Sequence, residues 1–423
     1  MHPHDNTERL LAPLRRHLSK PQWHNLLALV VAIQLARTLI QRQLALYLLW
    51  AISSDACYRR LERLLAWDPQ LWEPLQRAWI RAVLACFALG SGRLTLLIDW
   101  TLHRDRCKSL WVMLPVGGRA VPLAFWLAPP EMGGAGTQRA LEDQALTELR
   151  TWLPARRRVL LIGDRGFRGR DRMHLLQRLR FQFILRVTGD TMVEIAGEWV
   201  RLRAVAPAVG QRRQWAQRPF GKEKPQERLT INLVAVRQAL PTPKAVLTNK
   251  GKKTVKTVDE TIWFLATDLP LSTDAVALYQ TRMQIEQSFR DSKGLLGLER
   301  EQTKQPWVRL RTLLWALLIG YTLDLQLGGA APAVAPRPPR VAPPGDLAPP
   351  LGKPEYRAQS ATREGLHALV LALFLGETPL SAEFRAMAAK SARMQARPQV
   401  QNRRRPTPAL RCRARRAMNQ VHA

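Results

Sequence analysis

Acidic residues are in short supply in this chain: 33 Asp and Glu stand against 65 Lys and Arg, a formal net charge of +32 over 423 residues. A surplus of that size repels itself in the compact state unless a polyanion is a regular partner. Cysteine is equally sparse. Cys57, Cys86, Cys107 and Cys412 show no C-x2-C pairing and no histidines at zinc spacing, so neither a disulfide framework nor a zinc centre is supported. Uninterrupted hydrophobic runs of membrane length are missing too. The run "NLLALVVAIQLARTLIQRQLALYLLW" is broken by Arg37 and Arg42, and "TLLWALLIGYTLDLQL" is short and carries Asp324; both read as core helices rather than membrane spans. The first 20 residues contain early acids and no apolar centre followed by small residues, so no signal peptide is read there. The expectation is a prokaryotic cytoplasmic protein with no membrane, whose polyanion is nucleic acid and which sits with the nucleoid when bound to it.

What is present argues for packed domains. Hydrophobic residues make up 46% of the chain and tryptophan occurs 14 times, enough for a sizeable core and two or three domains. Residues 20 to about 90 are rich in Leu, Ala, Trp and Arg at helical spacing, which predicts a helical N-terminal domain over 1–90. From residue 94 the texture changes to short β-like runs, "LTLLID", "SLWVMLPVGG" and "RAVPLAFWLA", with Gly117 and Gly118 as a hairpin turn. A helical segment with Glu142, Leu146 and Leu149 follows, then the apolar strand "VLLIG" ending at Asp164, a helix near 171–180 and the strand "FQFILRV". The order β-β-β-α-β-α-β predicts an α/β fold with a mixed sheet flanked by helices, spanning 91–327, whose connectivity resembles that of ribonuclease-H-like domains. Within it, residues 188–258 read as a β-rich insertion; between 201 and 256 there are 14 Lys or Arg and two acids, Glu223 and Glu227, which fits either a phosphate-facing surface or a solvated loop region. Residues 328–354 hold nine prolines and read as a linker. Residues 355–423 read as a helical and basic C-terminal tail, with 11 Lys or Arg and no acid after residue 384.

The chemistry-bearing residues are few. Asp99 directly follows "LTLLI" and Asp164 directly follows "VLLIG", so each is placed at or near a strand end. On neighbouring strands the two carboxylates would repel each other, a conflict that a hard divalent cation such as Mg²⁺ resolves. An isolated strand-end aspartate is also a common turn cap. Downstream, "LYQTRMQIEQSFRDSKGLLG" (278–297) reads as one helix. At about 100° per residue, Tyr279, Arg282, Glu286 and Lys293 fall within an arc of roughly 60° beside the apolar stripe of Leu278, Ile285 and Phe289. That row suits a metal and phosphate site, or a plain Arg282 to Glu286 ion pair worth only about 0.3 kcal/mol.

Taken together, Y-x2-R-x3-E-x6-K preceded by "LLIDWT" and "LLIGDRGFRG" resembles the signature of DDE transposases of bacterial insertion sequences, over about residues 94–325. The resemblance implies that Asp99, Asp164 and Glu286 are catalytic and bind two Mg²⁺ ions, with Mn²⁺ as a substitute, and that Tyr279, Arg282 and Lys293 contact DNA phosphate. It also implies a flipped-base stacking role for Trp263, which precedes a Trp-x3-Thr spacing in "IWFLATD". The partners implied are double-stranded DNA, both terminal inverted repeats and target, and a second copy of the chain as a homodimer. The activity implied is Mg²⁺-dependent strand cleavage and strand transfer. A non-catalytic or decayed DNA-binding descendant and a ribonuclease-H-like nuclease without strand transfer are the alternatives.

Overall fold

A computed structural model describes residues 3–327, apart from 49–52, 88–91, 104–106, 129–134, 223–224, 239–245, 248–252, 255–261 and 300–306. The proline-rich linker and basic tail read at 328–354 and 355–423 lie outside the described residues.

Five helices open the chain: α1 (Pro3–Arg15), α2 (Lys20–Ala36), α3 (Gln41–Tyr47), α4 (Ser54–Leu65) and α5 (Trp72–Phe87). Helix α2 starts where it does because Ser19 and Gln22 cap each other's backbone N–H groups, and it stops at Arg37, whose φ of 51° leaves the helical region. Ten of its residues are buried, from Trp23 to Gln34. Among the described residues no single helix is long and apolar enough to cross a membrane.

The sheet begins with β1 (Leu94–His103), β2 (Cys107–Val116) and β3 (Arg119–Ala128), an antiparallel meander. Gly117 and Gly118 form its hairpin turn with φ of 55° and 87°, the paired positive values that a two-residue turn of this hand demands. Next come α6 (Ala135–Trp152), β4 (Val159–Gly163), α7 (Arg170–Arg178) and β5 (Phe181–Val187). β4 and β5 run parallel to β1, and β4 is buried at every position, as expected of a strand covered on both faces. The order β3-β2-β1-β4-β5 is a mixed sheet flanked by helices, the α/β architecture that the sequence pattern predicts.

The segment read as an insertion extends this sheet. β6 (Met192–Ile195), β7 (Glu198–Arg201), β8 (Arg212–Phe220) and β9 (Leu229–Arg237) precede a separate pair, β10 (Val246–Leu247) with β11 (Lys253–Thr254). β12 (Ile262–Thr267) then inserts between β5 and β9, giving ten strands in the order β3-β2-β1-β4-β5-β12-β9-β8-β6-β7.

Three helices follow: α8 (Ala275–Gln280), α9 (Met283–Leu295) and α10 (Trp307–Leu327). α10 packs back onto the N-terminal helices. Gln34 donates to Asp324 Oδ1 at 2.9 Å and to the Gly320 carbonyl at 3.2 Å, and Thr312 donates to the Leu65 carbonyl at 3.0 Å. Trp315 meets Trp72 and Trp79 with ring centroids 6.3 and 6.2 Å apart, while the Trp79 indole donates to the Pro122 carbonyl of β3 at 3.0 Å. Helices and sheet thus share one apolar core. Gly297, at φ +73°, brings the chain after α9 so close to the α2–α3 connection that a Cβ there would lie 2.2 Å from the Arg37 carbonyl oxygen.

Candidate active site

The end of β4 fixes the site. In the parallel β1–β4 ladder the last pair is Ile98 with Gly163, so Asp99 and Asp164 are the next residues on strands about 4.8 Å apart. Asp99 is not at a strand end: β1 runs on to His103, paired from there only with β2. It is β4 that stops, releasing the chain into a 3₁₀ turn, Arg165–Phe167, whose first N–H groups Asp164 caps by accepting from Gly166 N at 2.7 Å. The capping residue is thus also one of the two paired carboxylates.

α9 brings the third carboxylate. The helix is held down by Ser288, whose hydroxyl accepts from Ala120 N at 2.8 Å, by a buried ion pair of Asp291 with Arg119 at 2.5 Å, and by Phe289 against Trp111. Ile285 is fully buried. Residues 278–297 are two helices rather than one. At the joint, Thr281 N, Arg282 N, Gln284 N and Ile285 N all bond to carbonyls three residues back, and the Thr281 hydroxyl takes the Leu278 carbonyl at 2.6 Å, a local bond that bends a helix. Asp274 starts α8 by accepting from Val276 N and Ala277 N, and it also accepts from Arg212 of β8 at 3.0 Å.

Arg282, at that joint, spans the carboxylates. Its guanidinium donates to Asp99 Oδ2 at 3.1 Å and to Glu286 Oε1, and it lies 5.9 Å from the centre of the Tyr279 ring. Burial works against its charge, but Tyr279, Glu286, Asp99 and Asp164 together more than offset that and raise its pKa. Asp99 is pushed up to about 7, chiefly by burial, with Asp164 and Glu286 adding and Arg282 and the Trp100 N–H opposing. Tyr279 is 3% exposed, and burial raises its hydroxyl. The half-buried Trp263 on β12 meets the Tyr279 ring edge-on, centroids 5.2 Å apart at 69°.

Tyr279, Arg282 and Glu286 are therefore brought to Asp99 and Asp164, with Trp263 beside them. Lys293 is not: it lies two turns, about 10 Å, along α9 from Glu286, with its Nζ 2.9 Å from Glu299. Sequence reading missed Arg186. In the β4–β5 ladder Gly163 pairs with Leu185, so Arg186 is the next residue beside Asp164. It donates to the Ile262 carbonyl at 3.2 Å, and burial lowers its pKa while Tyr279 and Asp164 favour its charge. A lone cation in the apolar strand "FQFILRV" was its only signal.

Residues 135–323 match the family model of the transposase DDE domain. The match takes in Asp164, Trp263, Tyr279, Arg282, Glu286 and Lys293 and begins downstream of Asp99. No curated protein matches this chain. Among solved structures, a piggyBac transposase synaptic complex with hairpin DNA is similar at 13% identity and a TM-score of 0.42, covering 92% of this chain and 78% of that one.

Among the described residues no three Asp, Glu, His or Cys side chains are arranged to hold a metal ion. The cation between Asp99 and Glu286 is the Arg282 guanidinium. The donor chemistry nonetheless suits a hard divalent ion: the set is all carboxylate, two members already share one cation, and burial beside Asp164 leaves Asp99 short of positive charge.

Proposed function

We propose that this chain is a DNA transposase of the DDE type that binds the inverted repeats at its element's ends, cleaves a strand at each, and joins the freed 3′ end to target DNA. The observation that carries the reading is the Asp99–Asp164 step across the β1–β4 ladder, with Glu286 tied to Asp99 through Arg282. The match of residues 135–323 to the transposase DDE domain supports it.

In this reading Asp99, Asp164 and Glu286 hold Mg²⁺, for which Mn²⁺ can stand in. Such ions supply activation of the attacking oxygen and charge stabilisation of the leaving one. Arg282 gives up Asp99 and Glu286 when DNA phosphate arrives, moving its charge from carboxylate to phosphate. Tyr279 braces that guanidinium, Lys293 holds a phosphate farther along the strand, and Trp263, beside Tyr279, stacks on a base turned out of the duplex, worth about 1–3 kcal/mol. Residues 1–90 recognise the element end, the 188–258 strands add backbone contacts, and two protomers pair the ends in the prokaryotic cytoplasm.

The test is a strand-cleavage assay with Mg²⁺ on DNA bearing the element's own ends, alongside a binding assay. Glu286→Ala is expected to lower cleavage at least a hundredfold while retaining end binding. Native protein that binds the ends but does not nick them in Mg²⁺ would refute the reading.

A further inference from the structure

A second basic site lies past the Asp164 turn, on the other face of the sheet. Asp99 and Trp100 are consecutive in β1 and so point to opposite faces. Asp99 meets α9 through Arg282, whereas the Trp100 indole donates to Glu142 of α6 at 2.7 Å. On that second side a cleft of about 520 Å³ opens between α6, the 3₁₀ turn and α7, lined by Gln138, Arg139, Glu142, Arg165, Gly166, Arg168 and Arg172. Its size is within the roughly 300–1,000 Å³ of small-ligand sites.

The floor of the cleft is already satisfied. Arg172 and Glu142, both buried, pair at 2.5 Å, Arg172 also reaches Asp143, and Glu142 Oε1 accepts from Gln138 at 3.2 Å. The rim is not. Among the described residues Arg139 has only a 3.6 Å pair with the exposed Asp171, a contact worth little. Arg165 and Arg168 are exposed and have no carboxylate partner among the described residues. Their turn is pinned at both ends, by the Asp164 cap and by Arg168 donating to the Arg165 carbonyl at 3.2 Å. Gly169, at φ +141°, lets the Arg139 guanidinium lie against the start of α7, where a Cβ would stand 3.3 Å from it. Three guanidiniums held round one opening repel one another unless an anion sits between them, and planar guanidiniums suit phosphate.

We infer that this cleft seats backbone phosphates of a second DNA segment, distinct from the one gripped along α9, and so serves the joining step. The inference rests on the transposase reading. The α9 wall and the Arg139–Arg165–Arg168 wall meet at the Asp164–Arg165 step, where Arg165 also lies within charge range of Arg186, and one strand lying against α9 leaves Arg139 and Arg168 facing the cleft for another.

The test uses the full chain and the double variant Arg165→Ala/Arg168→Ala, with thermal unfolding as the check on folding. Given pre-cut element ends and plasmid target, the variant is expected to lose at least tenfold in joined product per bound end. With nonspecific duplex, losing two phosphate contacts should lower the slope of log K against log salt by about 1.8. An unchanged slope overturns the inference. So does a joining yield equal to the native one, or an equal loss in first-strand nicking. Inorganic phosphate or a mononucleotide binding natively and not in the variant, with duplex binding unaffected, would also overturn it in favour of a small-molecule site. If native protein neither cuts nor joins, the transposase reading fails, and the salt slope still decides whether the cleft holds DNA phosphate.

Discussion

Asp324 and His103 are both fully buried, and both are held neutral by the cost of stripping water from a charge. Burial raises Asp324 well above the ordinary carboxylate range. The stability this lends is full below about pH 4 and drains away as pH climbs toward the folded-state value, because the unfolded chain ionises first. His103 is lowered to about 4, mainly by burial and secondarily by Lys293. Its contribution is full above about 6.5 and is lost as pH falls to 4, a change on the order of 3 kcal/mol. Between about pH 4 and 6.5 these two contributions run in opposite directions and largely cancel, so urea midpoints followed from pH 4 to 9 should stay near level below about 6.5 and fall above it, where Asp324 alone still titrates. Asp324→Asn, which keeps an acceptor for Gln34, is expected to remove the alkaline fall and to uncover a loss of stability from about 6.5 down to 4 that belongs to His103, and a midpoint profile identical to the native one would refute the assignment. Neither residue could be assigned from sequence, since nothing local to "YTLDLQL" says that Gln34 lies across from it. Asp99 and Asp164 were legible because each follows an apolar run that ends a stretch of parallel pairing. Arg186 was not, because its place beside Asp164 depends on the register of two strands rather than on any spacing along one.

At the level of elements, α9 is the part whose position decides everything at the site. It is tied to β3 by Arg119 and Asp291, whose side chains are 3% and 5% exposed. Removing one member leaves the other charge buried and unpaired, so Arg119→Ala is expected to cost about 3–5 kcal/mol in denaturant unfolding. A double change to apolar residues of similar volume, Arg119→Met with Asp291→Leu, should recover most of that loss. If the single variant cost less than about 1 kcal/mol, the pair would not be what seats the helix. The polar edge of this helix was readable from a 100° wheel. The break at Thr281 and Arg282 was not, because side-chain bonding to a nearby carbonyl competes with the helical pattern without changing its hydrophobic period. That break places Arg282 at a joint, at the start of α9, where it reaches β1.

Over the whole molecule, the sequence pattern separated helices from strands but not the company they keep. The strands of 188–258 read as an insertion because their alternation is local, whereas the membership of β6–β9 in the main sheet depends on β9 pairing with β12. Helices α1–α5 read as a domain of their own, yet their buried faces meet α10 through Gln34 with Gly320 and Asp324, Thr312 with Leu65, and Trp72 and Trp79 with Trp315. A chain truncated after residue 306 should accordingly bind a hydrophobic dye and aggregate, and a soluble truncate with native-like cooperative melting would contradict this arrangement.

The bonds joining α2 and α4 to α10 span 247 to 290 positions of sequence. During synthesis the first helices leave the ribosome long before the helix that covers them exists. At about 5–20 residues per second, they wait on the order of 15–60 s for α10. Folding of the amino-terminal helices is thereby timed by the emergence of α10 rather than by their own, and a ribosome stalled between β4 and α10 yields a chain that holds the carboxylates of β1 and β4 but lacks the helix that covers α2 and α4.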